Sequence, residues 1–394
     1  MRRIWQATLL IGICLTPAPQ AHGDETAKQP YELVRALNAL QDESTRGNAE
    51  AHIRQRQLIS LLAQQLVSAD AAAWKDPKNV KAAVVYALSG GEPRVLKSLF
   101  GLRQLPGVDE KLLNAALAYS EGRNADALEL LSHIDARTLD PGLGARVALV
   151  HSGLMAAKDP KRAVALLDEA RLLAPGTVVE DAALRRQAFV VAGLGDFDAF
   201  EMLASQYMRR FPNSVYANAF REQFASEVAG DKYGQDAERL RRLEATLEGI
   251  DVANRRHCYL LIAQEAVTRG RVELARLAAR HAVRLTADDE VNHGRSRVYE
   301  AAALVVTEDY ESGVAALMSI DKTGLDPRDA ELLQAAFAVA EEVRRPPSTH
   351  EATVSSPDSM IAAKSEPVPE KLKAVELAQK MVARVDAILA EARQ

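Results

Sequence analysis

The sequence predicts an all-α protein, a right-handed superhelical solenoid of helical hairpins of the tetratricopeptide type, and three observations lead there. First, the stretch Gly122 to Leu131, GRNADALELL, recurs downstream with little identity but with a small residue kept in register: Ala127, Ala163, Ala199, Ala237, Ala275 and Gly313. These positions lie 36, 36, 38, 38 and 38 residues apart, and a fixed period in that range marks a helical-repeat array. Second, Leu131, Leu167, Leu203 and Leu317 follow four of the six by four residues, giving each a large apolar partner one turn on. Third, apolar residues make up 48% of the chain and aromatics only 5%. The apolar content is mostly Ala, Leu and Val with few β-branched runs, which favours helix over sheet.

The chain opens with Arg2 and Arg3, an apolar stretch from Ile4 to Leu15, then Pro17, Pro19 and small residues up to Gly23. Residues 1–23 therefore read as a secretory signal peptide, too short to span a bilayer, with cleavage after Ala21 or Gly23. Retention as an uncleaved anchor is the alternative. Cys14 does not read as a lipidation site, because Ile13 stands where a small residue is wanted. Loss of residues 1–23 removes two arginines and no acid, leaving 47 basic against 54 acidic residues, a charge of −7. That balance argues against nucleic acid as a partner. Cys258 is then the single thiol, so no internal disulfide forms, and its neighbours Tyr259, Leu260, Leu261 and Ile262 place it in a buried helical pattern. With no second stretch of spanning length, no membrane insertion is expected after signal cleavage, and the mature chain is expected to be soluble outside the inner membrane.

Residues 30–107 read as an N-terminal helical region. From Pro30, Leu33, Val34, Leu37 and Leu40 share one face, and a break at Thr45 to Asn48 leads to a second helix from Ala49 to Ser68. Ile53, Leu58, Leu61, Leu62 and Leu66 are its expected buried residues. Asp76-Pro77 opens the next helix, and Asp140-Pro141, Asp159-Pro160 and Asp326-Pro327 repeat the device. The carboxylate caps orphan amides, and the proline has no amide to leave unpaired. The turn Ser89 to Pro93 leads to a helix ending near Phe100. Residues 108–345 form the regular array, with turns near Gly122, Lys158, Gly195, Gly230 to Gly234, Gly270 and Asp309. The Ala ladder is expected at the helix crossings, where small side chains let the axes approach to the short end of about 8 to 10 Å. Hairpins that cannot cover their own apolar face must stack, which creates a long groove. Residues 346–370 are rich in Pro, Ser and Thr and read as a flexible linker. Residues 371–393 read as an amphipathic helix through Val375, Ala378, Val382, Val385, Leu389 and Ala392. Its apolar stripe either caps the solenoid or docks on a partner or a second copy.

No enzymatic motif emerges. There is no Gly-rich phosphate loop, no Gly-x-Ser-x-Gly elbow and no histidine pair at helical spacing, so the sequence implies no catalytic residue, no cofactor and no metal. The histidines at 52, 133, 151, 257, 281, 293 and 350 are scattered. His257-Cys258 fails as a nucleophilic pair because neighbours on a helix point about 100° apart. A wall-glycan-cleaving enzyme would need a separate compact domain, for which a linker and one helix leave no room. The pairs Arg185-Arg186, Arg209-Arg210, Arg241-Arg242 and Arg255-Arg256 read either as a basic stripe in the groove or as solvated faces paired with Glu180, Asp181, Glu238 and Glu244. Tyr207, Tyr216, Tyr233, Tyr259 and Phe220 read as core first.

The run Pro30 to Leu37 (PYELVRAL), with Leu40-Gln41-Asp42, Gly47-Asn48, Trp74 to Asn79 (WKDPKN) and Ala82 to Pro93 (AAVVYALSGGEP), resembles the MotC family of exported motility proteins. The layout of signal, helical body, Pro-rich linker and terminal helix resembles it along the whole chain. The resemblance implies a periplasmic chemotaxis protein needed for flagellar rotation, with the periplasmic part of the stator protein MotB as partner and an influence on motor energising or coupling. The family has no catalytic motif, so no site residue is carried over. A general envelope adaptor for wall or outer-membrane assembly is the alternative reading.

Overall fold

The structure, a computed structural model, describes residues 28–345 apart from 103–104, 235 and 287–288. The signal segment 1–23, the linker 346–370 and the helix 371–393 lie outside the described residues. Among the described residues there are seventeen α-helices, two short 3-10 turns and no strand. The helices follow one another as α1 (Pro30–Thr45), α2 (Ala49–Val67), α3 (Pro77–Leu88), α4 (Pro93–Leu99), α5 (Glu110–Ser120), α6 (Asn124–Leu131), α7 (Pro141–Met155), α8 (Pro160–Leu173) and α9 (Val178–Gly193). The second half continues with α10 (Phe197–Arg210), α11 (Ala217–Val228), α12 (Ala237–Glu248), α13 (Val252–Thr268), α14 (Val272–Leu285), α15 (Glu290–Leu304), α16 (Tyr310–Met318) and α17 (Pro327–Arg344). Sequential pairs such as α7 with α8, α9 with α10 and α13 with α14 pack as hairpins, and neighbouring hairpins stack, as a helical-repeat solenoid requires.

Each Asp-Pro pair starts a helix. Asp76 accepts from the Lys78 amide at 2.8 Å, Asp159 from Arg162 at 2.9 Å and Asp326 from Asp329 at 3.0 Å. Asp140 makes no side-chain cap and instead meets Lys81 at 2.5 Å.

Burial corrects the ladder at two positions. Ala127, Ala163 and Ala275 are buried, and Gly313 sits at a crossing where an added Cβ would come within 2.9 Å of both the Leu304 Cβ and the Val305 amide nitrogen. Ala199 is half-buried, however, and Ala237 is exposed. The four that hold are each the fourth residue of their helix, and in α10 and α12 that place belongs to Phe200 and Leu240. The spacing of the fourth residues is therefore not constant: it first shifts by one in α10 and then again in α12, where the connection from α11 (residues 229–236) is longer than the turn inside any other hairpin. Burial also corrects α2: Leu62 and Leu66 are buried, but Ile53 and Leu61 are 59% and 54% exposed.

The buried apolar residues form two clusters, one running from Val34 to Ala183 and the other from Leu184 to Ala340, so they meet within α9. The N-terminal region thus shares its core with the first repeats. Helix α1 achieves this by packing on α3 and also reaching α9, far along the chain.

Candidate partner-binding site

A repeat scaffold presents function on a surface rather than in a catalytic cleft, so the face made by the first helices of successive hairpins is where a site is sought. Helix α1 occupies the N-terminal end of that face. Arg146 on α7 is buried and donates from Nη2 to Asn38 Oδ1 at 2.7 Å and Gln41 Oε1 at 3.3 Å, and from Nε to Ser89 Oγ at 2.8 Å. The first amide of α9, at Val178, donates to Asp42 Oδ1 at 2.8 Å, and the Val215 amide donates to the Ser44 carbonyl at 3.1 Å. Burial raises the Asp42 pKa, opposed by the Val178 amide and the Arg146 and Arg46 charges. Burial likewise pulls the Arg146 pKa down, against the attraction of Asp42.

Two of the helices that α1 touches, α7 and α9, also border a cavity of about 630 Å³. Its walls come mainly from four consecutive first helices, Tyr119 on α5; Val150, Gly153 and Leu154 on α7; Arg185, Arg186 and Phe189 on α9; Phe220 and Gln223 on α11, with Asn124 of α6 and Leu167 of α8 also lining it. Arg146, Val150 and Gly153 follow at spacings of four and three, one stripe of α7 that first holds α1 and then lines the cavity. Phe189 and Phe220 meet with ring centroids 5.2 Å apart and make an apolar floor. No Asp or Glu lines the cavity among the described residues, although acids outnumber bases in the whole chain.

The two arginines of α9 have different surroundings. Arg185 Nε donates at 2.6 Å to Asp181, a buried carboxylate whose other oxygen accepts from Ser214 Oγ at 2.7 Å. Its guanidinium also lies 4.4 Å from the Tyr216 ring centroid, and Tyr216 stands edge-on to His52 of α2. Arg186 is exposed and donates to the Leu149 carbonyl at 3.3 Å. No carboxylate pairs with it among the described residues. Gly153 faces it, since a Cβ at that position would lie 3.3 Å from Arg186 Nη1.

The other paired arginines do not form a stripe. Arg210 meets buried Glu180 at 2.7 Å, Arg241 pairs with Glu238, Arg242 reaches Asp198 at 2.7 Å and Glu201 at 3.1 Å, and Arg256 lies 3.4 Å from Asp289. Glu244 instead meets His281 Nε2 at 2.5 Å. Buried acids fasten neighbouring hairpins in the same manner elsewhere. Glu201 accepts from the Tyr233 hydroxyl at 2.7 Å and from Arg239 at 3.1 Å, and Asp329 on α17 accepts from Arg295 at 2.6 Å and from the Tyr299 hydroxyl. Tyr207, Tyr233, Tyr259 and Phe220 are buried and Tyr216 is half-buried. Cys258 is fully buried, with its thiol 3.6 Å from the Met208 sulfur and its pKa pushed up to about 12 by desolvation.

A second cavity, of about 440 Å³ between α13, α14, α15 and α17, is lined mainly by Ala and Val. No helix among the described residues is long and apolar enough to cross a membrane.

Sequence reasoning reached Arg185 and Arg186 only as a pair of bases and did not connect them with Phe189, Tyr119 or the glycine at 153. The available signal was local. Adjacent residues on a helix point about 100° apart, so one arginine turns to Asp181 and the other to the cavity, while Phe189 lies one turn further along the same side.

These features define a class, a helical-repeat scaffold with a basic, aromatic-floored recess on one face. The chain matches the family described as "Chemotaxis protein MotC" over residues 1–394. It is also 35% identical over 346 residues to the "Chemotaxis protein MotC" of Rhizobium meliloti (strain 1021), covering 86% of this chain and 77% of that protein. The chain belongs to the MotC family of chemotaxis and motility proteins. No solved structure matches it.

Proposed function

We propose that this chain is a periplasmic, non-enzymatic motility protein that binds the periplasmic part of the stator protein MotB and so influences the energising or coupling of the flagellar motor. Family membership along the whole chain supports the motility role, and the signal-like segment 1–23 supports export. The observation that carries the binding role is the cavity across α5, α7, α9 and α11, with two arginines, two phenylalanines in contact and no acid among its described lining. A stacked scaffold of this kind uses such a surface to hold a protein segment.

The mechanism is positional. The segment held in the recess would be displaced or ordered relative to the rest of the stator, changing how it anchors or opens its proton path. The direct test is co-purification of the chain with the MotB periplasmic fragment, which is expected to give a stable complex; absence of association overturns the reading. Deletion of the gene is expected to leave assembled but non-rotating flagella. Altered cell shape or detergent sensitivity with normal rotation would favour the envelope adaptor.

A further inference from the structure

We infer that the cavity between α5, α7, α9 and α11 recognises an acidic peptide segment, one in which a carboxylate stands beside a bulky apolar side chain, with Arg186 as the anion anchor and the Phe189–Phe220 floor as the apolar seat. This deepens the proposed function and rests on it for the identity of the partner, but the chemistry of the site is argued from the cavity itself.

Charge complementarity selects the occupant. The cavity is lined by two cations and, among its described residues, by no carboxylate. Arg185 is already satisfied by Asp181 at 2.6 Å, so it contributes a neutralised wall. Arg186 donates from Nη1 to the neutral Leu149 carbonyl at 3.3 Å and has no carboxylate partner among the described residues, although it lines the cavity. A planar guanidinium with free donors matches a carboxylate in two parallel hydrogen bonds, which are stronger and more directional than bonds to a neutral acceptor. The glycine at 153 keeps that approach open, since a side chain there would crowd the guanidinium from across the recess.

Helix α1 shows what this face accepts. It is held by oxygen acceptors presented to donors of α7 and α9: Asn38 and Gln41 to Arg146, and the Asp42 carboxylate to the Val178 amide. Its apolar residues Val34 and Leu37 are buried in the N-terminal core cluster. Val150 and Gly153, four and seven residues after Arg146 on α7, line the cavity, where Arg186 of α9 stands beside the Phe189–Phe220 pair. Its volume, about 630 Å³, is within the range of sites that enclose a few side chains of a ligand. A peptide segment carrying Glu or Asp beside Phe or Leu supplies both features at once.

The test uses the full chain and a fluorescein-labelled peptide of repeating Glu and Leu or Phe residues, with a second peptide in which every Glu is Gln. Fluorescence anisotropy is expected to show saturable binding of the acidic peptide, weakened roughly tenfold or more by Arg186→Glu and by the Gln peptide. Phe189→Ala is expected to weaken both peptides, whereas Arg241→Glu, at an exposed position of α12 outside the cavity lining, leaves binding unchanged. Circular dichroism melting of each variant excludes loss of fold, and Arg186→Gln serves as a second, milder variant. Equal affinity for the Glu and Gln peptides, no binding of either, or full binding by folded Arg186→Glu overturns the inference. The MotB periplasmic fragment is then added as competitor. If it displaces the peptide from the wild type, both readings stand; if the peptide binds as described and the fragment does not displace it, the recognition chemistry stands and the proposed partner falls.

Discussion

At the scale of single residues, burial decides what the titratable groups do. His151 on α7 is 4% exposed and its Nε2 has no hydrogen-bond partner among the described residues. Desolvation, with the Arg162 charge as a smaller influence, lowers its pKa below the ordinary 6.5. The unfolded chain takes up a proton at His151 as the pH falls through that value, while the folded chain resists it. The residue therefore contributes stability that is present above about pH 6.5 and is lost as the pH falls toward the folded-state value. His151→Leu is expected to narrow the difference in melting temperature between about pH 7.5 and about pH 5; an unchanged difference would place the acid sensitivity elsewhere. Cys258 gives a second expectation. A fully buried thiol with its pKa near 12 should resist thiol reagents in the native protein and react stoichiometrically on unfolding. Fast labelling without denaturant would contradict its placement against Met208.

At the scale of elements, the helices were legible because their signals are local. Asp before Pro starts a helix wherever it occurs, and glycine turns divide the hairpins at the expected places, so boundaries such as Pro30–Thr45 and Ala49–Val67 follow from the residues within them. The register between elements was less legible. A period counted through the chain assumes equal spacing, and the crossing position moves from Ala199 to Phe200 in α10 and then, across the long turn from α11, from Ala237 to Leu240 in α12. Ala163→Leu overfills a closed joint and is expected to cost about 1 to 3 kcal/mol by denaturant titration. Ala237→Leu, on an exposed position, is expected to fall within about 0.5 kcal/mol of wild type. Equal losses from the two would restore the constant-period register. The width of an apolar stripe misled in the same manner on α2. Ile53 and Leu61 continue the pattern, yet no neighbouring helix among the described residues covers them.

At the scale of the whole described unit, the unexpected feature is that α1 turns back onto the row of first helices. A linear stack would leave that face open at its N-terminal end, whereas here α1 joins α3, α7 and α9 into one body, and α7 and α9 also border the cavity between Tyr119 and Gln223. Arg146 is the fastening. Arg146→Leu removes three donated bonds and leaves the Asn38 and Gln41 oxygens without their donor, at a cost of about 1 to 3 kcal/mol. Hydrogen exchange is expected to quicken over residues 30–45 while α13 to α16, in the other apolar cluster, keep their protection. Uniform quickening in both would mean that the two clusters unfold as one. The sequence by itself determined the helical class, the repeat, the helix starts and the family resemblance, because capping, turn chemistry and helical periodicity act over a few residues and leave a local trace. Tertiary structure alone decided which of two adjacent arginines is neutralised, which small residues are true joints, and where the open surface lies. Arg185 meets Asp181 only one turn away, but Ser214, which fixes that carboxylate, and the partners of Arg146 lie far along the chain, and contacts at that separation have no period to read.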